Sequence, residues 1–588
     1  MNAYPNYSQW QALVLEQHAG LLAWCGFVAG LLLLWLLWRW RFKRYRLLIT
    51  VAAVAAFFVA LGLPIVNGQG VILQFLFILP LGLMFTCFMG EYFNSNEDKA
   101  YIAILLFALT MRLPNLFTEQ MWYDETVTAA FSQAPLSQLS ALGGDTHPPL
   151  FYLPFWLTAQ FLGTSQLALR LPSLLFGVLN VYLVYRLTLS LGMQRKTALV
   201  AALIVAVLPG ALRYSNEARA YAQLTALVLG MGIAVLEDRP RWFAGLAAAT
   251  ILTQNMGYVY VFCIGTVAFL WFIHQTTILS IDTLPGAWNY WSPGPFKFFL
   301  SPHRKDWIVG LAIPALVGLA WLPFMLRQLA SVSGGWWVVF APGAIPRPLF
   351  SMTVGTRIPE PFILQVLAIV LVITVLGLFS VRRWLFTTAG NLWVVLCFGT
   401  PAIAAVVSIF TPVYVDRALL PSALAIPIVW AYLLTGRRKF ERIAAAGLLI
   451  PVLSIALNSY YVPDQEVRDD WRARLVEGCQ DTQVIFNTSL STYFISRYYT
   501  PERTIIAWSG ANDINLFLPE YVKQALGVEQ AAEPPPGDVC ILDLDTPISR
   551  ADERAYVREL SLGAIQSTRL SRVDAMDITV NAYVVRLP

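Results

Sequence analysis

Two polar segments stand out in a very apolar chain: YDETVTAAF, which holds Asp124 and Glu125, and GGDTHPPLFY, which holds Asp145 and His147. A carboxylate at the edge of hydrocarbon is costly unless it faces water, a partner or a substrate. The first segment follows an apolar stretch ending near Phe117 and the second precedes the next, which predicts one loop on one side of a membrane. Further along, Arg170 lies in ALRLPSLLFG, Arg213, Glu217 and Arg219 in RYSNEARAYA, and Asp416 with Arg417 in TPVYVDRALLP, all expected at equivalent depth. Arginines gathered on a face that basic residues normally avoid point to an anionic ligand, because the guanidinium fork matches phosphate oxygens. Each residue also admits a plainer reading: Asp124 as a helix N-cap, and any one arginine as a snorkelling or ion-paired side chain.

The elements that must position these groups follow from the composition. Of 588 residues, 57% are hydrophobic and 13% charged, which excludes an ordinary soluble enzyme and a disordered chain and predicts a polytopic membrane protein. Leu21 to Trp38 is an apolar run that reaches across most of the hydrocarbon at about 1.5 Å per helical residue. The cations Arg39, Arg41, Lys43, Arg44 and Arg46 follow it, so it is expected to stay as a helix with Met1–Gly20 outside. Further spans are predicted near 47–66, 71–89, 101–117, 167–191, 197–212, 219–236, 242–255, 257–273, 307–326, 361–380, 391–410, 418–435 and 443–459, about fourteen in all. That count puts the basic pairs at 195–196, 304–305 and 382–383, Arg239 with Arg241, and GRRK at 436–439 on one side, inside. The YDET and HPPL segments then come out external.

The stretch 118–166 is expected to hold short amphipathic helices at the interface. A second external loop, 327–360, carries Trp336 and Trp337, which suit an interfacial aromatic belt or a sugar-binding wall. The cytoplasmic loop 274–306 offers no chemistry. After residue 460 the pattern becomes that of a soluble domain, with strand-like DTQVIFN and DVCILDL between helix-like EVRDDWRARLVEG and PEYVKQALG, a small external α/β layer. Cys479 and Cys540 are the only cysteines in it, and they suit either a disulfide or two buried thiols. The net charge of +5 belongs to cytoplasmic flanks and indicates no nucleic-acid partner. No Walker loop, zinc-spaced Cys/His set or internal repeat is present.

YDET, THPPLFY, LALRLPSLLFG, QRKTALVAALIVAVLPG, YSNEARAYA and DRALLPSALA, in that order, resemble the bacterial membrane glycosyltransferases of the GT-C class, which are related to protein O-mannosyltransferases and lipid A aminoarabinose transferases. The resemblance covers residues 100–460 and is densest from 118 to 236. It extends weakly into the DDWRARL stretch and implies a catalytic transmembrane bundle over 101–460; the three helices predicted in 1–100 are an addition to that core, and the domain over 461–588, external by the topology count, is then periplasmic. It also implies inverting transfer of a sugar from a polyprenyl-phosphate donor to an envelope acceptor, a glycolipid, glycan or protein, at the outer face of the inner membrane. The DRALL segment departs from the more usual Arg-Tyr pairing at that place.

A phosphate leaves readily once its charge is matched, so such a transferase needs one general base. Asp124 is the expected base, ionised at neutral pH and made more basic by burial, with Glu125 as the substitute. By the resemblance, His147 shapes the substrate site, and Asp124, His147 and Glu217 are the residues open to a divalent metal ion, which some relatives bind. Arg170, Arg219 and Arg417 are expected to hold the phosphate as charge develops, while Glu217 orients Arg219 or binds substrate. The competing readings are a secondary transporter or lipid flippase, a ligase or polymerase of lipid-linked oligosaccharide, and a non-catalytic envelope scaffold. Against a transporter, the charges gather at one face and no two similar halves are visible. The sugar, acceptor, prenyl length and oligomeric state are not encoded in any motif.

Overall fold

The computed structural model describes residues 100–118, 120–135, 147–278, 304–333, 345–355, 360–410, 414–436, 439–461, 471–480, 482–518, 520–545, 551–562, 564–573 and 578–587. The predicted spans before residue 100, together with Asp145, Trp336 and Trp337 and most of the loop 274–306, lie outside them.

The helical part comprises α1 (Ala100–Thr118), α2 (Tyr123–Ser132), α3 (Leu153–Leu162), α4 (Gln166–Ser190), α5 (Arg195–Val207), α6 (Pro209–Ser215), α7 (Tyr221–Leu236), α8 (Pro240–Thr253), α9 (Gly257–Ile278), α10 (Arg304–Ser333), α11 (Arg347–Val354), α12 (Glu360–Ser380), α13 (Thr388–Ser408), α14 (Asp416–Thr435) and α15 (Lys439–Tyr461). Five of the described helices are long and apolar enough to cross a bilayer, six if the bent pair α5–α6 is one span, and the chain is a multi-pass membrane protein. The predicted spans at 101–117, 219–236, 242–255, 257–273 and 443–459 also coincide with helices, namely α1, α7, α8, α9 and α15. The 14 residues of α8 rise about 21 Å, less than the hydrocarbon thickness.

Breaks in the helices fall where backbone chemistry requires them. The chain bends by 62° between α5 and α6, where Pro209 lacks the N–H that would continue the ladder. Gly210, one residue on, lies so close to the Met352 backbone of α11 that a Cβ has no room there. Within α13 the residues Val395–Gly399 widen into a π-turn just ahead of Pro401, and Thr400 returns its hydroxyl to the Val395 carbonyl. The helix α4 starts at Ser165, whose hydroxyl accepts from the Ala168 amide at 3.3 Å.

The C-terminal part is a six-stranded mixed sheet with helices. Its strands are β1 (Val484–Asn487), β2 (Thr504–Trp508), β3 (Gln530–Ala531), β4 (Gly537–Asp545), β5 (Ala564–Val573) and β6 (Ile578–Leu587), in the order β3-β2-β1-β4-β6-β5. β1 to β4 run parallel, and β6 pairs antiparallel with both β4 and β5. Helix α16 (Trp471–Cys479) precedes the sheet, α17 (Leu490–Tyr499) links β1 to β2, and Cys479 is joined to Cys540 of β4 by a disulfide.

This sheet unit shares a core with the helical part. Met121, Ala129 and Phe131 of the α2 region, Phe151, Tyr152 and Phe155, and Ala218 belong to one buried cluster with Tyr493, Phe494 and Leu475. Tyr499 donates to the Met121 carbonyl at 2.9 Å and Tyr498 to that of Thr164 at 3.1 Å. Helix α2 is therefore walled in on both sides, not laid on a lipid interface as expected from the sequence. By contrast α3 presents Leu157, Phe161 and Leu162 outward, the apolar face an interfacial helix needs.

Candidate active site

Helix α2 sets the site. Trp122 stands at the N-cap, so Asp124 and Glu125 lie within the first turn, where the helix dipole favours negative charge. The N-cap reading of Asp124 is corrected. It is Glu125 that faces back to the cap, its Oε2 at 3.4 Å from the Trp122 amide.

The two adjacent carboxylates point into different surroundings. Glu125 is fully buried and accepts from Arg170 Nε at 2.8 Å, from Arg170 Nη2 at 2.7 Å and from the Ala218 amide at 2.7 Å. Arg170 is 1% exposed, and its Nη2 also donates to the Gln120 carbonyl at 3.1 Å. This closed bidentate pair corrects two expectations: Glu125 has no approach to a hydroxyl, and Arg170 none to a phosphate. The pair ties α2 to α4 and to the turn before α7.

Asp124 keeps 15% exposure. Its Oδ2 accepts from Arg417 Nη1 at 2.8 Å and lies 3.9 Å from Arg219 Nε. Arg219 Nη1 donates to the Asp124 carbonyl at 3.2 Å, and its Nη2 lies 3.1 Å from His147 Nε2. Phe151 lies under the Arg219 guanidinium at 4.7 Å, while the rings of Trp122 and Tyr221 flank that of Arg417 at 5.6 and 5.4 Å. Sequence reasoning missed these aromatic walls, although Trp122 adjoins YDET and Tyr221 lies within RYSNEARAYA.

Burial pushes the Asp124 carboxyl up, but the charges of Arg219, Arg417 and His147 and the Arg417 hydrogen bond outweigh it. The carboxyl ends below the ordinary carboxylate range. The expectation that burial makes Asp124 a stronger base is therefore not met.

Glu217 does not orient Arg219. It accepts from Arg213 Nε at 2.8 Å, with Arg213 40% exposed and Glu217 8%. Burial pushes its carboxyl up, and Arg213 opposes without cancelling the shift. Asp416 accepts from the Ser351 hydroxyl at 3.1 Å and lies 3.5 Å from Arg347, away from Asp124.

On the residues around Asp124, several buried polar atoms lack a hydrogen-bond partner among the described residues: Trp122 Nε1, Arg417 Nε, Asn216 Oδ1 and Glu217 Oε2. Leaving such atoms unpaired is costly, so each calls for a polar partner. The set Asp124, His147 and Glu217 does not form a metal cage. Among the described residues no three or more His, Cys, Asp or Glu side chains gather at ligand spacing, and His147 Nε2 faces a guanidinium instead.

The model of the dolichyl-phosphate-mannose-protein mannosyltransferase family matches residues 146–284, the segment that contains His147, Arg170, Glu217 and Arg219. It agrees with the resemblance to the GT-C class read from the sequence motifs. No curated protein matches the chain. Among solved structures, the chain is similar to ArnT from Cupriavidus metallidurans in the apo state, at 11% identity and a TM-score of 0.46, over 82% of this chain and 97% of that one. The same protein bound to undecaprenyl phosphate gives 10% identity, a TM-score of 0.48, and 82% and 98% coverage. The apo oligosaccharyltransferase of Archaeoglobus fulgidus gives 14% identity and a TM-score of 0.42, over 74% of this chain and 65% of that one.

Proposed function

We propose that this chain, whose residues 146–284 match a family of dolichyl-phosphate-mannose-dependent transferases, is an inverting glycosyltransferase. It takes a sugar from a polyprenyl-phosphate donor and gives it to an acceptor hydroxyl in the cell envelope. The observation that carries this reading is the meeting of Arg417 and Arg219 on one oxygen of the partly exposed Asp124 carboxylate, at 2.8 and 3.9 Å. Two forked guanidiniums directed at one partly exposed point match the oxygens of a phosphate in geometry and sign.

The same arrangement couples binding to basicity. When the donor phosphate engages Arg417 and Arg219, their field at Asp124 is shared with the phosphate, and the carboxylate recovers the proton affinity that they suppress. The acceptor hydroxyl then attacks the anomeric carbon from the side opposite the phosphate. Its proton passes to Asp124, the bond from the anomeric carbon to the phosphate oxygen breaks, and the electron pair stays on the phosphate, stabilised by the arginines. His147, beside Arg219 and with its ring centroid 4.4 Å from that of Phe151, orients that guanidinium.

In this reading residues 101–460 are the catalytic transmembrane unit, 1–100 an N-terminal addition, and 461–588 a domain facing the periplasm, with the site at the outer face of the inner membrane. The test is to incubate the purified full chain with a polyprenyl-phosphate sugar labelled in the sugar and a crude envelope acceptor fraction. Release of free polyprenyl phosphate together with labelled product of inverted anomeric configuration supports the proposal. Movement of intact donor across a vesicle membrane without cleavage assigns the chain to transport.

A further inference from the structure

A cavity of about 590 Å³ lies on the other side of α2 from Asp124, at the seam with the sheet unit. Its floor is the α2 face formed by Thr126, Ala129, Ala130 and Gln133. At 100° per residue this face is opposite Asp124. Its outer wall comes from α16, α17 and β2 and carries three cations, Arg472, Arg497 and Arg503, against one carboxylate, Glu529. Those cations are lightly engaged. Arg472 lies 3.9 Å from Glu502, both well exposed, and Arg497 Nη1 is 3.4 Å from the Tyr493 hydroxyl. Arg503 Nη2 donates to the Gln480 carbonyl at 2.8 Å, while its Nη1 is buried with no hydrogen-bond partner among the described residues.

We propose that this cavity is a second binding site, for an anionic saccharide: a sugar carrying phosphate or carboxylate. The volume suits one or two sugar rings. The guanidiniums supply forked donors for the anionic group, and the tyrosines of α17 that line the cavity offer apolar ring surface for a sugar. An occupant on this face does not reach the Asp124 carboxylate. Under the transferase reading, on which this clause alone rests, it is a part of the acceptor remote from the hydroxyl that receives the sugar, and the acceptor is an acidic glycan or glycolipid.

The test uses the purified full chain in nanodiscs of neutral lipid, with glucose 1-phosphate as probe and maltose as the uncharged control, read by titration calorimetry. Expected are at least tenfold preference for glucose 1-phosphate over maltose and at least tenfold weaker probe binding in the Arg497→Gln/Arg503→Gln pair at unchanged melting temperature. If the glutamine pair does not fold, the Arg497→Lys/Arg503→Lys pair, which keeps charge but loses the fork, is expected to bind several-fold more weakly than wild type. Equal affinity for the two sugars, or unchanged affinity in the substituted pair that folds, overturns the proposal. Full displacement of the probe in discs of phosphatidylglycerol also overturns it, by assigning the arginines to bilayer phosphate. Probe binding needs no turnover, so it survives Asp124→Asn. A protein that binds the probe but cleaves no lipid-linked donor therefore refutes the transferase reading and leaves this site standing.

Discussion

Asp124→Asn separates chemistry from architecture. Asparagine keeps an oxygen for Arg417 Nη1, now 2.8 Å from Oδ2, and removes the charge. Stripping one ion from a fully buried pair costs about 3–5 kcal/mol. Here a neutral acceptor remains, Arg417 is 17% exposed and lies on two aromatic faces, so the expected loss of stability is about 1–2 kcal/mol. A general base is worth about 100- to 10,000-fold in rate, or about 2.7–5.4 kcal/mol of barrier. The catalytic effect thus exceeds anything unfolding accounts for, provided that rates are normalised to folded protein. Donor affinity should hold or rise, because the arginines no longer share their charge with a competing carboxylate. The assay is the initial rate of polyprenyl phosphate release from a labelled donor, with donor binding measured separately. Transfer within a few-fold of wild type, or clearly weaker donor binding, refutes the assignment.

The neighbouring Glu125→Gln should behave in the opposite way, costing about 3–5 kcal/mol by leaving Arg170 buried against a neutral side chain, so that folded yield falls while turnover per folded molecule stays near wild type. Arg417→Ala should weaken donor binding and transfer by about 10-fold or more, with Arg417→Lys restoring part of it; equal kinetics in the alanine variant would leave Arg417 a structural residue. Glu217 binds its proton more tightly in the folded chain than its ordinary value, so its ionisation opposes folding increasingly as pH rises above about 4.3. Melting curves of Glu217→Gln should accordingly match wild type at pH 4 and gain on it towards pH 7, and a gain that shrinks with rising pH contradicts this sign. Replacing both Cys479 and Cys540 by serine opens a link between residues 61 apart and should lower the stability of the sheet unit by about 2–4 kcal/mol, read by denaturation under non-reducing conditions.

The polar groups of the site were legible because charge in an apolar chain is conspicuous: Asp124, His147, Arg219 and Arg417 come together around one carboxylate. Their pairings were not. Glu125 and Arg170 stand 45 residues apart, and only the packing of α2 against α4 shows that one neutralises the other. Nor does sequence tell which partner Glu217 takes, since Arg213 and Arg219 both lie within one helical turn of it. Helices were visible through continuous apolarity, whereas crossing the membrane depends on length and tilt, which a run such as α8 does not encode. The burial of α2 was hidden for another reason. Part of its cover comes from α17, far along the chain and in a region whose composition is that of a soluble domain.

That long-range cover has a consequence for biosynthesis. Tyr499 meets Met121 across 378 residues of intervening chain, so the helix that carries Asp124 emerges from the ribosome long before the residues that complete its surroundings. At about 5–20 residues per second, the interval is on the order of 20–75 seconds. During that time the apolar side of α2 faces water or lipid, where insertion factors and proteases also act. The competence of the site is therefore decided at the end of translation, and substitutions in α17 that spare every charged residue should reduce the number of finished molecules, not the rate of each one.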